Sequence, residues 1–251
     1  MTAEVFYKTL KQRFGEVLEA NGLQNEEVTV TCRTLSPEEA IGNTRRRDFP
    51  IISGKDIMIE ASFQGSRGQA FTDAPAAFQG RLEDILEVDL VEDAQGRGLF
   101  IAAVNAVMRH LGLCGGTVHC RTEGPELCAV EMLAYLRTHY ADRKRIALIG
   151  YQPALLEMLS KSEFDVRVLD LNPANVGQIR YGVLVENGID AYESVVNGGA
   201  DLILCTGSTV CNGTIINYLG LNTEVLFFGT TLAGAAKLLD LKRVCFAEKY
   251  E

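Results

Sequence analysis

Residues 202–219 read LILCTGSTVCNGTIINYL. A short apolar run passes directly into small residues that carry hydroxyls, an amide or no side chain, and an apolar pattern at helical spacing then resumes. This is the grammar of a buried strand, a polar loop at its carboxyl end and a helix leading away. The same grammar recurs around it. RIALIG at 145–150 reads as a short buried strand, and Pro153 stands at the first position of the following helix, where its missing N–H costs nothing. VRVLDLN at 166–172, EVLFFG at 224–229 and RVCFAE at 243–248 read as further strands, and AVEMLAYLRTHY as a helix before the first. Strands apolar on both faces and alternating with helices predict a parallel sheet covered on two sides, a Rossmann-like domain over 128–251.

Upstream the pattern changes. Residues 1–112 read as an α+β unit. Its first helix spans 3–21, with Phe6, Leu10, Phe14, Val17 and Leu18 on one face. Extended stretches follow at 28–35 and 56–63, and GSRGQAFTD at 65–73 reads as a turn entering another strand. FQGRLEDIL and GLFIAAVNAVMRHLG carry helical periodicity, the second with Phe100, Val104, Val107, Met108 and Leu111 on one face. Residues 113–127, with three Gly and a Pro, form the connection. The expected fold class is therefore α/β, a small α+β domain followed by a parallel-sheet domain.

Bulk properties narrow the function. The net charge of −9 argues against nucleic acid as the main partner, because phosphate binding is driven by basic surface. No apolar run approaches the length needed to span a bilayer, and no secretory signal opens the chain. Seven Cys is an odd number, and Cys32, Cys205 and Cys245 fall within expected strands. Buried free thiols in the cytoplasm account for this best. Without a secretory signal, Asn212-Gly213-Thr214 is not read as a glycosylation acceptor. Cys114, His119, Cys120 and Cys128 cluster in and beside the connection, but their spacing matches no compact zinc pattern, so no metal site is expected.

In an open parallel sheet, ligands bind beyond the carboxyl ends of the strands. Gly150 and Tyr151 lie there after the first strand, and Asp170 after the second, 20 residues beyond Gly150, where such folds place an acid on a ribose hydroxyl. Gly150-Tyr151-Gln152 lacks the second glycine of a dinucleotide fingerprint, which argues against standard NAD binding. Thr206, Gly207, Ser208, Thr209, Asn212, Gly213 and Thr214 hold more polar groups than one helix cap uses, and the surplus suits a cradle for an anionic or polyhydroxylated ligand. Gly229, Thr230 and Thr231 would form its second wall. Loops of the first unit, IGNTRRRD and GSRGQAFTD, would close over the ligand, with Arg45, Arg46 or Arg67 neutralising its charge. The plainer reading of the run Arg45-Arg46-Arg47 is a solvated loop. No nucleophile–base pair is evident, and the cofactor is not legible.

GADLILCTGSTVCNGTIINYL, RIALIGYQPALLEML and GLFIAAVNAVMRHLG together resemble the putative heavy-metal-chelation family, a group of unknown function. That resemblance implies an enolase N-terminal-like domain followed by a Rossmann-like one. The family's T-G-x-T-x-x-N-G-T core maps onto Thr206, Gly207, Thr209, Asn212, Gly213 and Thr214, and its next glycine–hydroxyl loop onto Gly229, Thr230 and Thr231. There the family often carries a proline that this chain lacks. The resemblance implies a link to metal chelation through an organic chelator. The leading expectation is a protein acting on an anionic chelator or precursor, pterin-, flavin- or nucleotide-like, in an interdomain cleft. The alternatives are a methyltransferase-like protein using S-adenosylmethionine, with Asp170 on its ribose, and a non-catalytic protein binding metal directly through Cys114, His119, Cys120 and Cys128. A homodimer fits an acidic two-domain chain.

Overall fold

The computed structural model describes residues 1–23, 29–54 and 57–251. Val28 and Asp56, the expected first residues of two strands, lie outside the described residues, as does the side chain of Cys32. The opening helix α1 (Ala3–Ala20) starts where the Thr2 hydroxyl accepts from the Val5 N–H, and it buries Phe6, Tyr7, Leu10, Phe14 and Leu18. Strands β1 (Thr29–Leu35), β2 (Ile57–Phe63), β3 (Ser66–Thr72) and β4 (Phe78–Arg81) form an antiparallel sheet in the order β3-β2-β1-β4. FQGR is thus a strand, not the start of a helix. Its residues alternate in burial and pair with β1, and only from Leu82 does the helical pattern take over as α3 (Leu82–Glu87). A short helix α2 (Pro37–Ile41), absent from the sequence reading, is closed by a capping box between Ser36 and Glu39.

Helix α4 (Ala94–His110) is buried on every side from Gly96 to Met108. It packs on β2 and β3 across one face and on the helices of the second sheet across the other. A helix apolar all round needs such a double cover. The approach to β3 is close: a Cβ on Gly68 would stand 2.2 Å from the Ala106 nitrogen and 2.4 Å from the Ala102 oxygen. One hydrophobic cluster consequently runs from Phe6 through Val104 to Leu238 and joins the two sheets.

Helix α5 (Gly124–His139) begins inside the expected connection, with Pro125 in its first turn. Then follow β5 (Arg145–Ile149), α6 (Pro153–Ser160), β6 (Asp165–Asp170), β7 (Ile179–Arg180), β8 (Val183–Asn187), β9 (Leu202–Thr206), α7 (Thr209–Asn212), β10 (Val225–Phe228) and α8 (Ala233–Leu238). Their sheet order is β10-β9-β5-β6-β8-β7, parallel except for the two-residue edge strand β7. Taken in chain order, the five parallel strands lie third, second, first, fourth, fifth, which is the doubly wound Rossmann arrangement. The order reverses between β5 and β9. The β7–β8 hairpin was not legible, because its turn, Tyr181-Gly182, lacks the usual asparagine although both residues have positive φ, 53° and 81°. RVCFAE is not a strand either. Arg243 makes a single bridge to Phe227, its guanidinium turns to the carbonyls of Gly229 and Gly116, and the chain ends in a 3-10 turn at Ala247–Lys249.

Candidate functional site

The carboxyl ends of β5 and β9 meet at the reversal of strand order. Gly150 has φ +87°, and a Cβ there would stand 2.6 Å from Thr206 Cγ2, so only glycine lets the two loops touch without strain. Next to it, the Tyr151 N–H donates to Asp170 Oδ2 (2.6 Å) and the Asn172 N–H to Asp170 Oδ1 (2.6 Å). Asp170 therefore ties the loop after β5 to the loop after β6. Gln152 caps α6 by accepting from the Leu155 N–H, and Pro153 occupies its first position as expected.

The loop after β9 spends much of its polar surplus on itself. The Thr206 and Ser208 hydroxyls lie 2.7 Å apart, and the Thr209 hydroxyl donates to the Thr206 carbonyl (2.8 Å). Asn212 Oδ1 accepts from both the N–H and the hydroxyl of Thr214, with Gly213 at φ +82° between them. The chain leaves this loop as the four-residue α7 and a 3-10 turn at Thr214–Tyr218.

These loops form one side of a cleft of about 780 Å³. Of the expected residues, Gly150, Tyr151, Asp170, Thr206, Ser208, Thr209, Asn212 and Thr214 line it. The facing wall comes from the first unit: Phe49, Pro50 and Ile51, with Phe71, Thr72 and Asp73 at the end of β3. Gly207, Gly229, Thr230 and Thr231 instead line a smaller enclosed cavity of about 90 Å³ behind Thr206 and Ser208, together with Cys120, Cys128 and Cys245. Thr230 Oγ1 is buried there without a partner, whereas the Thr231 hydroxyl accepts from the Phe71 N–H (3.0 Å). Gly213 lines neither space, and neither arginine lies in the cleft. Arg45 is 93 % exposed and 3.8 Å from Glu123, and Arg67 stands on β3 paired with Glu60 at 3.6 Å.

Arg46 is the arginine that connects the two halves. Its guanidinium bonds Glu126 (2.8 Å) and Glu157 (2.5 Å), lies 3.6 Å from Asp48, and stacks on Phe49 and Tyr181. Burial works against its charge, but Glu126 and Glu157 outweigh burial and raise its pKa. Asp48 in turn accepts from the hydroxyls of Tyr151 and Tyr181. Burial first and Asp48 second push both phenols far up, so both remain donors. The left-handed backbone of Tyr181 costs about 1 kcal/mol, and these bonds offset it. Residues 46–49 are thereby held as a strap beside the cleft.

Besides the amide nitrogens of Gln152, Asn172 and Asn212, three side chains around the cleft have no hydrogen-bond or ion-pair partner for a polar atom among the described residues. The Tyr218 hydroxyl is one, on a residue only 6 % exposed. The Asp73 carboxylate is another. His119, from the connection, is the third. Its Nδ1 lies 2.6 Å from the Cys120 carbonyl, which can only accept, so Nδ1 carries the proton and Nε2 is left as an acceptor. The backbone is fixed by the His119 N–H donating to Gln69 Oε1 (2.7 Å), and Phe71 packs edge-to-face on the ring. Burial lowers its pKa despite the opposing Cys120 bond, so the imidazole stays neutral. Sequence reasoning considered His119 only as a metal ligand and Asp73 only as part of the loop 65–73, and it missed the Tyr218 hydroxyl. The Gln69 N–H donates to the Thr117 carbonyl two residues before the histidine (2.9 Å), a contact that nothing in the sequence shows.

The described residues contain no group of three or more His, Cys, Asp or Glu able to hold a metal ion. Cys114 lies apart from Cys120 and Cys128, against Arg243 and Lys237. Among the described residues no helix is long and apolar enough to cross a membrane.

Fold and cleft define a mixed α/β protein with an antiparallel sheet, a Rossmann-like parallel sheet, and a pocket where the strand order reverses. Residues 133–239 match the model of the family described as putative heavy-metal chelation, the family that the sequence resembles. Two solved structures are similar over most of the chain, both of proteins of unknown function from the DUF364 family. The one from Pyrococcus horikoshii is 15% identical, with a TM-score of 0.46 and 89% of this chain and 79% of that chain covered. The one from Desulfitobacterium hafniense DCB-2 is 16% identical, with a TM-score of 0.48 and 91% and 82% covered. No curated protein matches the chain.

Proposed function

We propose that the protein binds a small organic molecule in the cleft between its two sheets, and that its link to heavy-metal chelation runs through a chelator or chelator precursor. The observation that carries this reading is the position of the cleft. A space of about 780 Å³ opens at the strand-order reversal, where doubly wound sheets hold ligands. Its size falls in the range of small-molecule sites, about 300–1,000 Å³. Phe49, Ile51 and Phe71 offer apolar cover, and the loops after β5, β6 and β9 offer hydroxyls, amides and backbone groups. Chemistry on the bound molecule would fall to the groups not used by the fold, His119 Nε2 as a base and the Tyr218 hydroxyl as an acid. Dinucleotide and S-adenosylmethionine binding are less well supported, because the Tyr151 N–H and the Asp170 carboxylate are already bonded to each other.

Native mass spectrometry of the intact chain tests the reading. An organic adduct that is lost on denaturation, and is absent from Thr206→Trp, is expected. An adduct kept equally by that variant contradicts it.

A further inference from the structure

The cleft has a charge pattern that selects among ligands. Asp73 and Asp170 are the acids lining it, and no Lys or Arg lines it among the described residues. Of the cations nearby, Arg46 and Arg97 are committed to bonds within the protein. Arg46 is neutralised by Glu126 and Glu157. Arg97, behind Cys211, gives its N–H groups to the carbonyls of Cys211, Leu90 and Val91. Arg180 stacks on the Tyr151 ring with its centre 5.8 Å from the centroid and does not line the cleft, and its buried Nε has no hydrogen-bond partner among the described residues. An anion entering here would lose hydration and meet two carboxylates with no cation in the lining itself, which is the costlier arrangement.

Among the described residues, the lining offers unpartnered acceptors beside the unpartnered amide nitrogens of Gln152, Asn172 and Asn212, which can only donate. Asp73 is acceptor-only, His119 Nε2 is acceptor-only by its tautomer, and Tyr218, 6 % exposed, has a hydroxyl with no partner. A ligand satisfying two acceptors must bring N–H or O–H donors. The walls formed by Phe49, Phe71 and Tyr151 suit a flat apolar body.

We propose that the cleft takes a ligand with a flat apolar body and a cationic nitrogen group, an amidinium, guanidinium or protonated amine, directed at Asp73 and His119. This rests on the proposed ligand-binding role of the cleft and reverses the expectation of an anionic ligand. Asp73 supplies the counter-charge, His119 the second acceptor, and Asp170 a further negative field while it holds the loops in place.

Three probes of one shape separate the charges: benzamidine (cation), benzamide (neutral) and benzoate (anion). Each is titrated into the full-length protein and followed by amide chemical shifts. The expected result is that benzamidine shifts the resonances of cleft residues and binds at least about tenfold more tightly than benzamide, with benzoate weakest. Asp73→Asn, an exposed position without partners in the fold, should reduce benzamidine affinity to that of benzamide. Benzoate binding as well as benzamidine, or an Asp73→Asn protein that keeps the cation preference, overturns the inference and leaves the cleft as a binding site. If none of the three shifts a cleft resonance, both this inference and the ligand-binding reading fail.

Discussion

Asn105 is fully buried in α4 and uses its whole amide. Its Nδ2 donates to the carbonyls of Gln69 (2.9 Å), Thr230 (3.2 Å) and Thr231 (2.9 Å), and its Oδ1 accepts from the Gly234 N–H (2.7 Å). One side chain thus joins the first sheet to the loop after β10. In the sequence it is a single polar letter in an apolar helix, and nothing there shows which backbone groups it serves. Replacing one partner leaves several buried groups unsatisfied, each at roughly 1–3 kcal/mol. Asn105→Leu should therefore destabilise by about 3 kcal/mol or more in urea unfolding; a change below about 0.5 kcal/mol would show that the amide is dispensable. His119 gives a pH prediction. Its folded pKa lies below its unfolded value, so between the two the unfolded chain binds the extra proton. Stability from this group is complete above the ordinary histidine range and is lost as pH falls through it toward the lowered value. The groups facing the ring are Phe71, Cys120 and Cys245, and the Cys128 bond and burial hold the Cys245 thiol well above its ordinary range. His119→Gln should flatten the loss of stability between about pH 7 and 5 in thermal melts. An unchanged slope would mean that the imidazole is not held neutral.

At the scale of elements, period and composition located α1, α4, α6, β5, β6 and β9, because each buries an apolar face long enough to leave a pattern. The misses share a cause. FQGR became β4 because the edge of β1 was open to it, and RVCFAE stayed unpaired beyond one bridge because Arg243 turns away to carbonyls of the connection. Both outcomes depend on a neighbour distant in sequence. The contact between α4 and β3 also escapes pattern reading, although Gly68 marks it. A methyl group there meets backbone atoms at 2.2 and 2.4 Å, and backbone cannot swing aside as a side chain can. Gly68→Ala should cost about 2–3 kcal/mol, the upper range for overpacking, with the loss read by chemical denaturation. A neutral result would mean that helix and strand separate at little cost.

Across the whole molecule, the polar side of the cleft was legible, since the loops after β5, β6 and β9 carry their glycines and hydroxyls in the sequence. The facing wall was legible only as loops of the first unit, not as the side chains that line it. Phe49, Ile51, Phe71 and Asp73 become neighbours of those loops only because α4 clamps one sheet to the other and the Arg46 network fixes the strap. Arginines expected to meet an anion proved to lie outside the cleft, and Arg46 serves Glu126, Glu157 and Asp48 instead. Arg46→Met removes the shared cation and leaves three carboxylates near one another. Hydrogen exchange over 44–51 should then rise by about tenfold, equivalent to about 1.4 kcal/mol of local stability. Unchanged protection would place the strap's anchor elsewhere. The central claim is that the space at the strand-order reversal binds a small molecule. Its most direct test is to soak crystals of the full-length protein with a library of small fragments and locate those that bind. Fragments collecting between Phe49 and Phe71 on one side and Tyr151 and Ser208 on the other are predicted. Fragments gathering at other surfaces, with none in this cleft, would contradict the account.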